Sequence, residues 1–148
     1  MCLYSHTKNF KKSKENITCY KVLLKVENFT VDEIYYLTPY QKNSVLSSQF
    51  QKIINDNKKL FATPINLNNK KLYAITSGGF HSFKNLQDAV TELKWNCFFN
   101  NYSDNGIWTI AKCIIPQNTY FIEGEFDDTP AYISKSIVYQ EIIPYETN

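Results

Sequence analysis

The residues best suited to chemistry are Ser77-Gly78-Gly79-Phe80-His81-Ser82-Phe83, followed by Lys84. They lie between a strand-like segment and a helix-like one. Two adjacent glycines allow backbone angles closed to other residues and let a ligand approach the main chain. A helix starting just beyond them would offer unpaired N–H groups and partial positive charge, which suit a phosphate. His81, Ser82 and Lys84 are near enough to add side-chain donors. The spacing is neither a Walker A loop nor a dinucleotide fingerprint, so a tight turn with no ligand is the plain alternative. With Tyr20 and Lys21 from the first long strand, the residues Ser77, Gly78, Gly79, His81, Ser82 and Lys84 form the candidate ligand-binding set. No residue is assigned a catalytic role.

Other chemistry has less support. His81 could serve as a general base, since imidazole titrates near neutrality; a structural histidine is the competing assignment. Glu123 and Glu125 flank Gly124 and, on a strand, would project to one face. Paired carboxylates can divide acid and base roles, although a solvated strand edge is the stronger explanation. The two histidines are far apart, and Cys2, Cys19, Cys97 and Cys113 form no CxxC pair, so no metal site is expected. No Gly-x-Ser-x-Gly elbow supports a serine nucleophile. Cys19 and Cys113 lie in apolar runs, where a reduced thiol acts as a small hydrophobe.

Composition narrows the partners. All 16 basic side chains are lysine, and the net charge is only +2. Without arginine there is no planar fork for phosphate or guanine, and binding to nucleic acid is not favoured. An anion site must use lysines, hydroxyls or backbone amides. No apolar run approaches the roughly 18 residues of a membrane span, and no cofactor is expected. With unpaired cysteines and no signal peptide, the expected place is the cytoplasm of a bacterial host.

The elements that would carry these residues follow from hydropathy patterning. Residues 17–27 read as a buried strand, and residues 33–38 as its hairpin partner. Leu46, Phe50, Ile53 and Ile54 share a helical face, which predicts a helix over 44–58. Residues 55–70, with Pro64, predict a long surface loop, and residues 71–76 a strand. Leu86, Ala89, Val90 and Leu93 predict a second helix from about Asn85, with Ser82 or Asn85 as cap. Residues 107–115 form a strand closed by Pro116. A turn at Gln117-Asn118 and a returning strand follow, then a polar loop at 127–130 and a last long strand over 131–143. The expected fold is α+β: a mixed, mainly antiparallel sheet with about two helices packed on it. The chain reads as a single domain over 1–148, with 1–16 a partly ordered basic arm.

Several stretches resemble small uncharacterised proteins of Bacteroidetes genomes and their phages. They are Met1-Cys2-Leu3-Tyr4, Cys19-Tyr20-Lys21-Val22, Thr38-Pro39-Tyr40, Gly79-Phe80-His81-Ser82-Phe83, and Ile115-Pro116 leading to Thr119-Tyr120-Phe121. The similar proteins tend to carry Lys-Gly where this chain has Gln117-Asn118. The resemblance implies a phage or mobile-element origin and no known activity. The expectation is therefore a small binding protein for an anionic or nucleotide-like ligand, in its sharp form a sequestered signalling molecule of host defence. A homo-oligomer is compatible with this. One alternative is an enzyme: the β-rich layout and Glu123-Gly124-Glu125 resemble ADP-ribosyltransferases, with Lys21 standing where many of those use a basic first-strand residue. The other is a protein–protein adaptor or virion component.

Overall fold

The computed structural model describes residues 3–28, 33–38, 41–46, 52–54, 61–67, 70–99 and 106–143. Within them the fold is one 13-stranded sheet in which every paired neighbour is antiparallel, together with a single helix. The strands are β1 (Leu3–Ser5), β2 (Lys11–Lys12), β3 (Ile17–Asn28), β4 (Glu33–Thr38), β5 (Gln41–Leu46), β6 (Lys52–Ile54), β7 (Phe61–Leu67), β8 (Lys70–Ser77), β9 (Phe80–Phe83), β10 (Gly106–Ile115), β11 (Tyr120–Phe126), β12 (Thr129–Ser134) and β13 (Ser136–Ile143); the helix is α1 (Leu86–Phe99). The order across the sheet is β6-β13-β10-β3-β9-β12-β11-β1-β8-β7, with β4 and β5 added beside β3 and β2 beside β11.

The α+β expectation with two helices is therefore corrected to a β-rich fold with one helix among the described residues. In the segment expected to be helical over 44–58, β5 and β6 are found; residues 47–51 and 55–58 lie outside the described residues. Three of its residues, 52–54, pair with Ser136–Val138 at the start of β13. Apolar spacing over so short a run fits either period, and tertiary pairing decides. In the expected 55–70 loop, residues 61–67 form β7 and pair with β8. Pro64 is tolerated there because β7 is the outer strand of the sheet, where a missing N–H breaks no further ladder. The strand expected over 131–143 is two strands. It breaks at Lys135, whose N–H donates to the Tyr120 carbonyl at 2.9 Å.

β3 and β10 form the spine, with ten register pairs from Ile17↔Ile115 to Val26↔Gly106. Both sheet faces are buried there, which is why these strands read as nearly continuous apolar runs. Val22, Ile110, Ile122, Ala131 and Ile133 pack on one face with Ala89 and Leu93 of α1. Cys19, Leu23, Cys113, Ile115, Phe121, Tyr132, Ile137 and Tyr139 pack on the other. The N-terminal segment threads into this sheet. β1 lies between β8 and β11. The Ser13 hydroxyl donates to the Pro116 carbonyl at 2.7 Å and accepts from the Thr119 N–H at 3.0 Å. Lys11 and Lys12 lie over the rings of Phe121 and Tyr120, so part of the basic character of this segment is spent on cation–π contacts.

Candidate functional site

β9 decides where the predicted residues go. It pairs with β12 from Phe80↔Ser134 to Phe83↔Ala131 and touches β3 at Phe83↔Tyr20. Side chains alternate along a strand, so Phe80 and Ser82 join one buried face while His81 and Phe83 join the other. The set is divided rather than gathered on one surface.

The glycines do not open toward solvent. Gly78 has φ 116, and both Gly78 and Gly79 are buried. A Cβ on Gly79 would stand 2.5 Å from the Ser134 carbonyl oxygen; this glycine is needed for close packing against β12. Ser77 ends β8, paired with Phe61. Six residues separate the glycines from α1, and the first four, β9, pair with β12. The start of α1 already holds a carboxylate: the Asn85 side-chain amide donates to Asp88 Oδ2 at 3.2 Å. Asp88 thereby complements the positive end of the helix.

Lys21 and His81 are both interior groups. The Lys21 ammonium is buried and donates to the His81 carbonyl at 2.8 Å. Burial lowers its pKa to about 8, with the thiolate forms of Cys113 and Cys19 opposing the drop. The His81 ring lies 5.4 Å from that of Phe126, and its Nε2 is buried without a partner. Burial, then the Lys21 charge, lowers its pKa to about 3. His81 is therefore neutral at physiological pH and a weak base. Ser82 is 2% exposed and its hydroxyl has no partner. Tyr20 is half-buried against the helix-side core.

Lys84 lines an open cleft. Its ammonium lies 3.1 Å from Glu123 Oε1, with both side chains substantially exposed, and its N–H donates to the Pro130 carbonyl at 3.1 Å. The surrounding cleft is about 560 Å³ and is lined by Tyr4, His6, Lys70, Lys84, Glu123, Glu125, Asp127 and Asp128, among others. It lies between the β11–β12 hairpin and β1 with β8. Both carboxylates of the Glu-x-Glu pair line it. The hairpin tip is a two-residue turn between Phe126 and Thr129, with Asp127 and Asp128 at φ 45 and 63. Asp127 also borders a second cleft of about 420 Å³, where Phe83, Trp95 and Phe126 face Asp88 and Glu92.

The sequence missed the pairing of Lys84 with Glu123 and the role of β1 as a cleft wall. Both depend on β12 bridging β9 and β11, a relationship with no local signal. Among the described residues no cluster of three metal-ligating side chains occurs, and no helix is long and apolar enough to cross a membrane. No family model matches the chain, and neither a curated protein nor a solved structure matches it.

Proposed function

We propose that the chain is a non-enzymatic binding protein that holds a nucleotide-like ligand in the cleft beside the β11–β12 hairpin. The observation that carries this is the Lys84–Glu123 pair at 3.1 Å in a cleft of about 560 Å³, a volume within the usual range for small-molecule sites. An exposed ion pair of this kind is worth little to the fold, so its two ends are available to a ligand at small cost. Lys84 and Lys70 suit a phosphate. Glu123 and Glu125 suit the hydroxyls of a ribose, which donate to carboxylates. Tyr4 offers a ring to a base. Four lining carboxylates against two lysines favour a ligand rich in hydroxyl and amino donors with few phosphates. Sequestration of a signalling molecule of host defence is the sharp form of this reading.

Calorimetric titration with cyclic nucleotides and ADP-ribose derivatives tests this. Heat with the wild type, lost in Lys84→Ala while the thermal midpoint holds, is the expected result. No heat with any of these ligands sinks the proposal. The convergence of Glu123 and Glu125 on the same cleft favours one second reading, an ADP-ribosyltransferase-like enzyme. It requires NAD turnover that Glu125→Gln abolishes; equal background signal from both proteins ends it.

A further inference from the structure

Cys19 of β3 and Cys113 of β10 face each other in the antiparallel ladder, and both are fully buried. Directly opposed residues on antiparallel strands have Cα atoms about 4.5–5.5 Å apart, within the roughly 4.4–6.8 Å that a disulfide spans. The spacing of the two strands at this pair is therefore compatible with a disulfide. Tyr139 continues the row across β13, opposite Cys113, where the β10–β13 register shifts between Lys112 and Cys113. Its hydroxyl is buried without a partner.

The charge arrangement favours reaction at Cys19. Lys21 is the next residue of β3 on the same face, and its ammonium is buried with a neutral carbonyl as acceptor. A buried ammonium needs an opposing charge. Among the described residues, the groups whose ionised forms favour it are Cys19 and Cys113. The adjacent Cys113 thiol, and more weakly Ser82 and then the Lys21 charge, hold Cys19 below the ordinary thiol range, against its burial; burial pushes Cys113 up. One member is thus biased towards thiolate, beside a neighbour that stays a thiol.

We propose that Cys19 and Cys113 form an oxidant-responsive dithiol that closes to a disulfide across the centre of the sheet. The oxidant is hydrogen peroxide, which can enter through transient openings of the fold. The Cys19 thiolate attacks one peroxide oxygen; an S–O bond forms, the O–O bond breaks, and the departing hydroxide takes a proton from the Lys21 ammonium to become water. The Cys113 sulfur then attacks the Cys19 sulfur. The S–S bond forms, the S–O bond breaks, and the leaving hydroxide carries off the Cys113 proton as a second water. Two thiols are oxidised by two electrons, and the peroxide is reduced to two waters. Lys21 is left neutral, which removes the unpaired buried charge that loss of the thiolate would create.

The test uses the full chain with Cys2→Ser and Cys97→Ser, so that this pair alone can react. Native protein is treated with hydrogen peroxide at neutral pH, then mapped by mass spectrometry without reductant. A product two hydrogens lighter, with Cys19 linked to Cys113 and reversed by dithiothreitol, is the expected result. Lys21→Met, where its circular dichroism shows it folded, should react measurably more slowly, because part of the bias towards thiolate is lost. The product map on the Lys21-containing protein decides the matter if that variant does not fold. Two results overturn the proposal: both thiols still alkylatable after unfolding of peroxide-treated protein, or Cys19 driven to sulfinic acid with Cys113 free.

Discussion

The Lys21 ammonium donates to the main-chain carbonyl of His81 at 2.8 Å, tying the centre of β3 to the strand that follows the Gly78-Gly79 bend. A buried lysine is costly, and its pKa of about 8 against an ordinary 10.5 measures that cost. The unfolded chain binds the proton more tightly, so folding stability rises as pH climbs from about 8 to 10.5. Below that window the full penalty applies, of order 3 kcal/mol. Lys21→Met should be at least as stable as wild type at pH 7, and its advantage should shrink towards pH 10. Urea denaturation of both proteins across this range checks the sign. An advantage that does not change with pH would mean that Lys21 does not titrate in the folded state as described.

His81 makes the opposite end of the pH scale informative. Its imidazole is kept neutral by burial against Phe126, with a pKa of about 3 compared with 6.5 for the free side chain. The unfolded chain takes up the proton first as pH falls. Stability contributed by His81 is intact above 6.5 and is lost from there towards 3, at up to about 1.4 kcal/mol per pH unit. His81→Leu should flatten this acid limb, and because it removes a buried unpaired nitrogen it should cost less than about 1 kcal/mol at pH 7. Parallel acid-unfolding curves for the two proteins would refute the assignment.

The parts of this fold that were legible in the sequence are those whose signal is local. β3 and β10 are apolar on both faces, so their runs announce buried strands. α1 begins just after Asn85, whose side chain bonds to that of Asp88, and Ala89, Val90 and Leu93 face the core. The segment around Ile53 and Ile54 was not legible, because pairing with β13 overrides a spacing that fits two periods. The Gly-Gly bend was legible as a bend, but not as a close approach of Gly79 to Ser134. Lys84 and Glu123 could each be singled out, yet their meeting depends on β12 lying between β9 and β11. Cys19 and Cys113 read as separate small hydrophobes because nothing in either run encodes the β3–β10 register.

Gly79 provides a test of that close approach. Any side chain there would press on the Ser134 carbonyl and on Ile133 Cγ2, which would lie 2.5 and 2.7 Å from the new Cβ. Both contacts are with fully buried residues, Ile133 and Ser134, which cannot yield easily. Gly79→Ala should therefore destabilise by roughly 2–3 kcal/mol, despite the ordinary gain from restricting the unfolded chain. Chemical denaturation of the two proteins gives the value. A change smaller than about 0.5 kcal/mol would show that β9 and β12 are not packed as closely as this.

The β11–β12 turn offers the reverse case, a position where a smaller residue should help. Asp127 and Asp128 both have positive φ, at 45 and 63, in a two-residue hairpin connection. Such turns favour Asn-Gly or Asp-Gly, because glycine takes this conformation without steric strain. Both side chains are exposed at the tip. Asp128→Gly should stabilise the fold by roughly 0.5–1 kcal/mol, since relief of strain exceeds the entropy added to the unfolded chain. The same substitution removes one carboxylate from the cleft beside Lys84, and so should not weaken binding of a phosphate-bearing ligand. Thermal denaturation and titration of one preparation measure both effects. A lower midpoint would show that the Asp128 side chain stabilises the turn by more than its left-handed backbone costs.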